Sequence, residues 1–133
     1  MGPERIEIRA PGTAEPISHY TDAVRVGDLL FVSGCPALGP DGALVGGDDT
    51  VDQFRQVLAN LKAVLDAAGS TPQDVVKVTV FMTDCEDRPR INPLRQAFFG
   101  DARPASTLVE VSKLPVPGMK VEMEAVAIVR DAG

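Results

Sequence analysis

Two glutamates, Glu122 and Glu124, lie two positions apart in a segment whose residues alternate in character. Residues 120–129 read KVEMEAVAIV, a pattern rich in β-branched residues that predicts a strand. Successive side chains of a strand point to opposite faces, so both carboxylates share one face with Val126 and Ile128. Either that face is half exposed to solvent, or it borders a pocket where a partly desolvated carboxylate holds or activates water.

Several other residues belong to types that take part in chemistry, and each also has a simpler structural interpretation. His19 and Tyr20 precede a predicted strand, where they could belong to a loop that covers the sheet. Gly34 follows Ser33 at the end of a strand, which favours close approach by another backbone or by a ligand. Asn92 precedes a proline and is most simply the N-cap of a helix.

The composition restricts both the class of protein and the kinds of site. The chain of 133 residues is 44% hydrophobic, which suits a single domain over residues 1–133. Its net charge of −6 argues against a nucleic-acid partner, because a polyanion requires a clustered basic surface. A single histidine, His19, accompanies Cys35 and Cys85, so no metal site is expected. No motif predicts a cofactor, and Cys35 has no positioned base to make it a nucleophile.

Location follows from the same composition. No apolar run of about 18 residues is present, and the two cysteines form no spaced motif. We therefore expect a cytoplasmic protein with reduced thiols and no membrane partner.

The residues of interest are distributed over six predicted strands and two predicted helices, in the order β-β-β-α-β-α-β-β. Thr50 is predicted to cap the first helix in a capping box with Gln53, and Gly69 ends it. The second helix is predicted at 94–99, with Asn92 and Pro93 as its cap and first turn. The predicted strands are 5–9, 22–26, 29–33, 75–82, 105–111 and 121–129.

The predicted sheet has more apolar surface than the two helices can cover. Two helices cover one face of a mixed sheet, yet the strands at 75–82 and 121–129 carry apolar side chains on both faces. Something must cover the second face. Another copy of the chain is the simplest cover, so a homo-oligomer is expected.

Five segments of the chain carry a resemblance to a known family: PISHYTDAVRVGDLLFVSG (16–34), NLKAVLDAAGSTPQDVVKVTVFMTD (60–84), INPLRQAFFG (91–100), RPASTLVEVSKLP (103–115) and VEMEAVAIV (121–129). Taken together and in order, they resemble the Rid family (reactive intermediate deaminase, YjgF-type, often called endoribonuclease L-PSP). The resemblance implies a chorismate-mutase-like α+β fold and a homotrimer with sheets inside, helices outside and ligand sites in the three clefts between subunits. The implied activity is hydrolysis of enamines and imines to carbonyl compounds and ammonia, without a cofactor.

The resemblance also assigns roles to individual residues. Glu122 matches the glutamate that positions the attacking water, and Tyr20 matches a tyrosine lining the cleft, so both are expected to serve catalysis. Ser33 and Gly34 match the small residues at the cleft floor. Asn92 matches the asparagine at the start of the second helix.

One departure from the family pattern concerns substrate binding. Deaminating members carry a Pro-Ala-Arg-Ser motif whose arginine binds the substrate carboxylate, but here Ser106 stands in place of that arginine, and Leu108 replaces a cysteine found in some members. Losing a buried charged partner costs about 2–5 kcal/mol, or roughly 30-fold or more in affinity. His19 or Arg103 could compensate by meeting an anionic group.

Three functions are therefore compared. The leading expectation is hydrolysis of a small enamine or imine that is neutral, or is anchored differently from a 2-imino acid. The alternative is a non-catalytic trimer that binds small metabolites in the same clefts. Ribonuclease activity is disfavoured by the acidic charge and by the absence of a histidine pair.

Overall fold

The computed structural model describes residues 2–130, which form an α+β domain in the predicted order. Two short 3₁₀ turns, Pro72–Asp74 and Cys85–Asp87, precede β4 and α2. The strands and helices are β1 (Arg5–Ile8), β2 (Ala23–Val26), β3 (Leu29–Cys35), α1 (Thr50–Ala68), β4 (Val75–Met82), α2 (Arg88–Phe99), β5 (Ala105–Glu110) and β6 (Val121–Ile128).

The described strands form one mixed sheet in the order β1-β2-β3-β6-β4-β5. Every neighbouring pair is antiparallel except β4 and β5, which are parallel and joined through α2. Gly27 has a φ of +59° in the two-residue turn between β2 and β3, a conformation that such hairpin turns require and glycine readily adopts. The last strand, β6, therefore lies in the middle of the sheet, between β3 and β4.

One face of the sheet packs against the helices and forms the core. The apolar stripe of α1 supplies buried residues at helical spacing, and α1 packs on β3 and β6. The alternation of β6 is confirmed, because every second residue is buried and the intervening ones are not. The buried residues of these two elements include Phe54, Val57, Leu61, Leu65, Val121, Met123, Ala125 and Ala127.

The opposite face of the sheet is uncovered in the single chain, although it carries large apolar side chains. Leu29 and Phe31 of β3 are 43% and 47% exposed, and Val109 of β5 is 37% exposed. Phe31 is paired in register with Val126 of β6. Exposed apolar side chains of this size indicate an interaction surface.

The N-terminus of α1 differs from the prediction by one residue. Asp49, not Thr50, is the N-cap, and its carboxylate accepts hydrogen bonds from the backbone N–H groups of Val51 (2.8 Å) and Asp52 (3.3 Å). Thr50 instead donates its hydroxyl to Asp87 at 2.7 Å. The predicted capping box is therefore wrong, because aspartate one position earlier satisfies the free N–H groups of the first turn.

Gln53, the other member of that predicted box, is fully buried and connects α1 to the start of β6. Its amide nitrogen donates to the carbonyls of Gly47 (2.8 Å) and Gly118 (2.9 Å). Its amide oxygen accepts from the backbone N–H of Lys120 at 2.7 Å. The side chain thus fixes the backbone immediately before Glu122.

The second helix begins six residues earlier than predicted, at Arg88 rather than Leu94. Asp87 is its N-cap and Pro89 lies in its first turn, where a proline is favoured. Pro93 lies inside the helix. The predicted start was wrong because Pro93, and not Pro89, was taken as the proline of the first turn. Asn92 is an exposed residue of the second turn, and its predicted role as a cap is wrong.

Candidate functional site

A cavity of about 350 Å³ opens where β3 separates from β6. The pairing of these strands is irregular between Val32 and Cys35, which leaves room beside the sheet. The cavity has the size of a small-ligand site. Its walls come from the loop at 13–22, the end of β3, one side of α1 and the segment 115–119, and four predicted site residues line it: Tyr20, Ser33, Gly34 and Glu122.

The carboxylate of Glu122 lies directly over the backbone of Gly34. A Cβ atom placed on Gly34 would be 2.0 Å from Oε1 of Glu122 and 2.8 Å from its Cδ. Any side chain at this position would displace the carboxylate. Glycine is therefore required here for close approach, as the sequence suggested for a glycine at the end of a strand.

The electrostatic surroundings of Glu122 make it a weaker acid than an ordinary glutamate. Burial raises the pKa of Glu122, and the nearby charge of Glu124 raises it further. Within residues 2–130, no side chain or backbone group donates a hydrogen bond to the Glu122 carboxylate, so its oxygens are free to bind water or a ligand. Glu124 is exposed and lies outside the cavity, beside Phe31 and Lys77.

The loop at 13–22 forms the outer wall and is held in place by Asp22. The Asp22 carboxylate accepts hydrogen bonds from the backbone N–H of Ala10 (2.8 Å) and from the guanidinium of Arg9. Tyr20, 46% exposed, accepts from the backbone N–H of Ile17 at 3.3 Å through its hydroxyl. Tyr20 therefore lines the cavity as part of this loop, and its hydroxyl is held by the backbone of the same loop.

Ser33 and Cys35 flank Gly34, and the side chain of each already donates to a backbone carbonyl. The Ser33 hydroxyl donates to the carbonyl of Thr21 at 2.6 Å, which joins the loop to β3. Burial, together with the negative charges of Glu122 and Asp22, raises the pKa of the Cys35 thiol far above its usual range. A thiol that stays protonated is a poor nucleophile.

A second group of predicted site residues lies on a different part of the surface, around β5 and α2. Ser106 and Leu108 are paired in register with Val78 and Val80 of β4, and Asn92 is exposed on α2. None of the three lines the cavity. Most of the predicted site residues therefore fall into two groups: the cavity residues of the β3–β6 region, and Asn92, Ser106 and Leu108, which together with Arg95 form the α2–β5 surface.

Arg95 joins the α2–β5 surface although no motif identified it. Its Nη2 lies 2.8 Å from Oγ of Ser106. Arg95 follows Asn92 by three positions, and residues with this spacing share one face of a helix. That spacing was the available signal, and it was missed because the predicted helix began too late.

The two residues suggested as compensation lie outside both groups. His19 is exposed beside Tyr20, and it does not line the cavity. Arg103 is exposed three residues before Ser106. Their proposed contact with an anionic group stays a prediction.

The sequence model of a family described as "Endoribonuclease L-PSP" matches residues 9–129. The chain belongs to this family, also known as Rid or YjgF. A "RutC family protein" from Pyrococcus horikoshii is 41% identical over 113 residues, covering 85% of this chain and 89% of the relative. A "2-iminobutanoate/2-iminopropanoate deaminase" from Dermatophagoides farinae is 34% identical over 129 residues, covering 97% and 99%.

Solved structures of the Rid family share the fold. YyfA from Yersinia pestis, a Rid protein of unknown function, superimposes with a TM-score of 0.88 at 36% identity, covering 95% of this chain and all of the other. The α+β prediction and the recognition of the Rid family are thereby confirmed.

In residues 2–130, no cluster of three or more histidine, cysteine, aspartate or glutamate side chains could hold a metal ion. The same part of the chain contains no helix long and apolar enough to cross a membrane. Within the cavity, the raised pKa of the half-buried Glu122 carboxylate favours its use both as an acid and as a base.

Proposed function

We propose that this protein hydrolyses a small enamine or imine to a carbonyl compound and ammonia, with Glu122 as the catalytic acid and base. The observation that carries the proposal is the Glu122 carboxylate, half buried over Gly34 and without a protein hydrogen-bond donor. Its raised pKa moves it toward the range in which one group can take and return a proton. The deaminase from Dermatophagoides farinae, 34% identical, supports the same reaction class.

The reaction needs only water and one proton-transferring group. Glu122 takes a proton from water as the water oxygen bonds to the C=N carbon, the π electrons move to nitrogen, and Glu122 returns the proton to nitrogen to give a carbinolamine. Glu122 next takes the hydroxyl proton as the carbonyl forms. The C–N bond breaks, its electron pair leaves with nitrogen, and nitrogen takes that proton from Glu122 and departs as ammonia. An enamine enters the same sequence once transfer of a proton from nitrogen to carbon has converted it to the imine.

We further propose that the active assembly is a homotrimer in the cytoplasm, with three sites between subunits. The uncovered apolar face of the sheet supports association of like chains. The separation of the predicted site residues into two groups supports a shared site, because a ring of identical chains brings different surfaces of neighbours together. A solution mass three times the chain mass of 14.1 kDa is expected, and a monomer would contradict this proposal.

The substrate is proposed to be neutral, or anchored by a group other than residue 106. A serine hydroxyl cannot form the paired charged hydrogen bonds that a guanidinium offers a carboxylate. Tyr20, Ser33 and Gly34 would shape the pocket around the C=N group.

The test is ammonia release from freshly generated imines and enamines, some with a carboxylate and some without. Glu122→Gln is expected to lower kcat at least 100-fold, in line with the loss of one general acid–base group. Glu86→Gln is the matched control, because it removes the same charge from an exposed position that does not line the cavity and does not affect the pKa of Glu122. Equal turnover by Glu122→Gln and the unaltered protein would refute the proposed role.

A second candidate is a non-catalytic protein that binds small metabolites in the same cavity. Ser106 favours it, because loss of the family's arginine also suits lost catalysis. Binding of carbonyl compounds without turnover of any imine would favour this candidate. Ribonuclease activity, which the family description names, suits an acidic chain with one exposed histidine poorly.

A further inference from the structure

We propose that Arg95 is the anion-binding residue of this site, held by Ser106, and that it selects small ligands carrying a carboxylate or a similar planar oxyanion. This inference rests on the proposed function, because Arg95 must face the Glu122 cavity of a neighbouring copy. It assigns the anchoring of the substrate to one residue, Arg95.

The position of the Arg95 guanidinium is set by a neutral partner. Its Nη2 donates to Oγ of Ser106 at 2.8 Å across the gap between α2 and β5. A guanidinium carries five N–H donors in a fixed fork. One donor fixes the group to β5, and the remaining donors are available to a ligand.

The charge of Arg95 lacks an anionic partner among residues 2–130. Several other arginines form salt bridges, including Arg55 with Asp52 at 3.6 Å and Arg130 with Asp74 at 3.0 Å. Arg95 forms none with a described carboxylate. A half-buried cation without a counter-charge is costly, and a bound anion would remove that cost.

The surroundings of Arg95 supply the rest of a carboxylate site. Asn92, one turn earlier on the same helix, is exposed and offers an amide that can donate a hydrogen bond. Burial lowers the pKa of the Arg95 guanidinium, which nevertheless stays charged at any physiological pH. Paired hydrogen bonds from arginine to a carboxylate are among the strongest polar contacts in proteins.

Ser106 gains a physical role in this arrangement. The hydroxyl of Ser106 lies 2.8 Å from the Arg95 guanidinium. Serine is short and accepts one hydrogen bond, so it positions the guanidinium without neutralising it. The charge on this surface therefore belongs to the helix residue and not to the strand residue that holds it.

The experiment compares the binding of 2-oxobutanoate with that of 2-butanone, in which a methyl group replaces the carboxylate. Dissociation constants are measured by NMR titration at constant ionic strength with the full chain. We expect the unaltered protein to prefer 2-oxobutanoate at least tenfold, about 1.4 kcal/mol, and Arg95→Met to abolish the preference. Arg55→Met, which removes the same charge from an exposed position on α1, should keep it.

Two further variants test the geometry. Arg95→Lys keeps the charge but loses the fork, and it should retain only part of the preference. Ser106→Ala removes the group that holds the guanidinium, and the preference should fall by roughly threefold. An unchanged preference in both Arg95→Met and Arg95→Lys would overturn the inference, and so would an unaltered protein that shows no preference.

The outcome is separable from that of the proposed function. A carboxylate preference that depends on Arg95, without ammonia release from any imine, would support the anion site and refute the deaminase proposal. Turnover that depends on Glu122, with a preference indifferent to Arg95, would do the reverse.

Discussion

The cavity around Glu122 and the α2–β5 surface around Arg95 differ in charge and in enclosure. The cavity is enclosed by a loop, two strands and a helix, and it contains a carboxylate without a cation. The α2–β5 surface is open and contains a guanidinium without an anion. The cavity lacks a cation and the α2–β5 surface lacks an anion. Opposite charges of this kind are expected on two surfaces of one chain that meet across a subunit contact.

A single methyl group on Gly34 is expected to displace the Glu122 carboxylate from its position in the cavity. Gly34→Ala is expected to lower kcat at least 100-fold, because a Cβ atom 2.0 Å from Oε1 must displace the carboxylate by more than 1 Å. The backbone of Gly34 does not have a positive φ, so stability should change by less than about 1 kcal/mol. Steady-state kinetics and thermal unfolding measure the two effects.

A double-mutant cycle gives the control for this prediction. In a Glu122→Gln background, Gly34→Ala should cost little further activity, because the group that it displaces no longer transfers protons. Additive losses would instead mean that Gly34 acts on the ligand directly.

How much of this arrangement could be predicted from the sequence depends on the range of the interactions. The alternation in 121–129 and the glycine after Ser33 are local patterns, and they led to the residues that the structure brings together in the cavity. The cap of α1 was misplaced by one residue, because aspartate and threonine are both good caps.

The α2–β5 surface could not be completed from local patterns. Pro89 and Pro93 both give a first-turn signal, and only the first marks the start of α2. Because Pro93 was taken as the first-turn proline, Asn92 fell outside the predicted helix. Its i, i+3 spacing from Arg95 on one helix face was therefore not recognised. The hydrogen bond from Arg95 to Ser106 further depends on how α2 packs beside β5, which no spacing in the sequence encodes.

Mixed assemblies test whether the two regions belong to one site. Glu122→Gln chains are expected to be inactive toward a carboxylate-bearing imine, and Arg95→Met chains are expected to be at least tenfold less active at low substrate concentration. If a site takes Glu122 from one copy and Arg95 from the next, unfolding and refolding an equal mixture should restore roughly a quarter of the sites. Ammonia release before and after mixing measures the recovery.

The result distinguishes two architectures. Recovery near a quarter requires that the two side chains come from different copies. A mixture no more active than the average of its two components, with an unchanged solution mass, would mean that both residues act within one chain or that Arg95 has no part in the site.

The smallest expected effect concerns the stability cost of the Glu122 carboxylate. Because burial and Glu124 raise the pKa of Glu122 in the folded state, the folded chain binds this proton more tightly than the unfolded chain does. The contribution of Glu122 to stability is therefore greatest below the ordinary glutamate pKa and is lost as the pH rises through the raised value. Glu122→Gln should raise the unfolding temperature at pH 7, and that gain should disappear near pH 4.

Thermal unfolding of both proteins across this pH range measures the difference, and Glu124→Gln sharpens it. Removing the Glu124 charge lowers the pKa of Glu122, so the gain from Glu122→Gln should be smaller in that background. A gain in stability that is the same at pH 4 and pH 7 would show that it comes from packing rather than from charge. A gain confined to neutral pH would show that the cavity keeps its carboxylate at the expense of stability, as expected for a functional group.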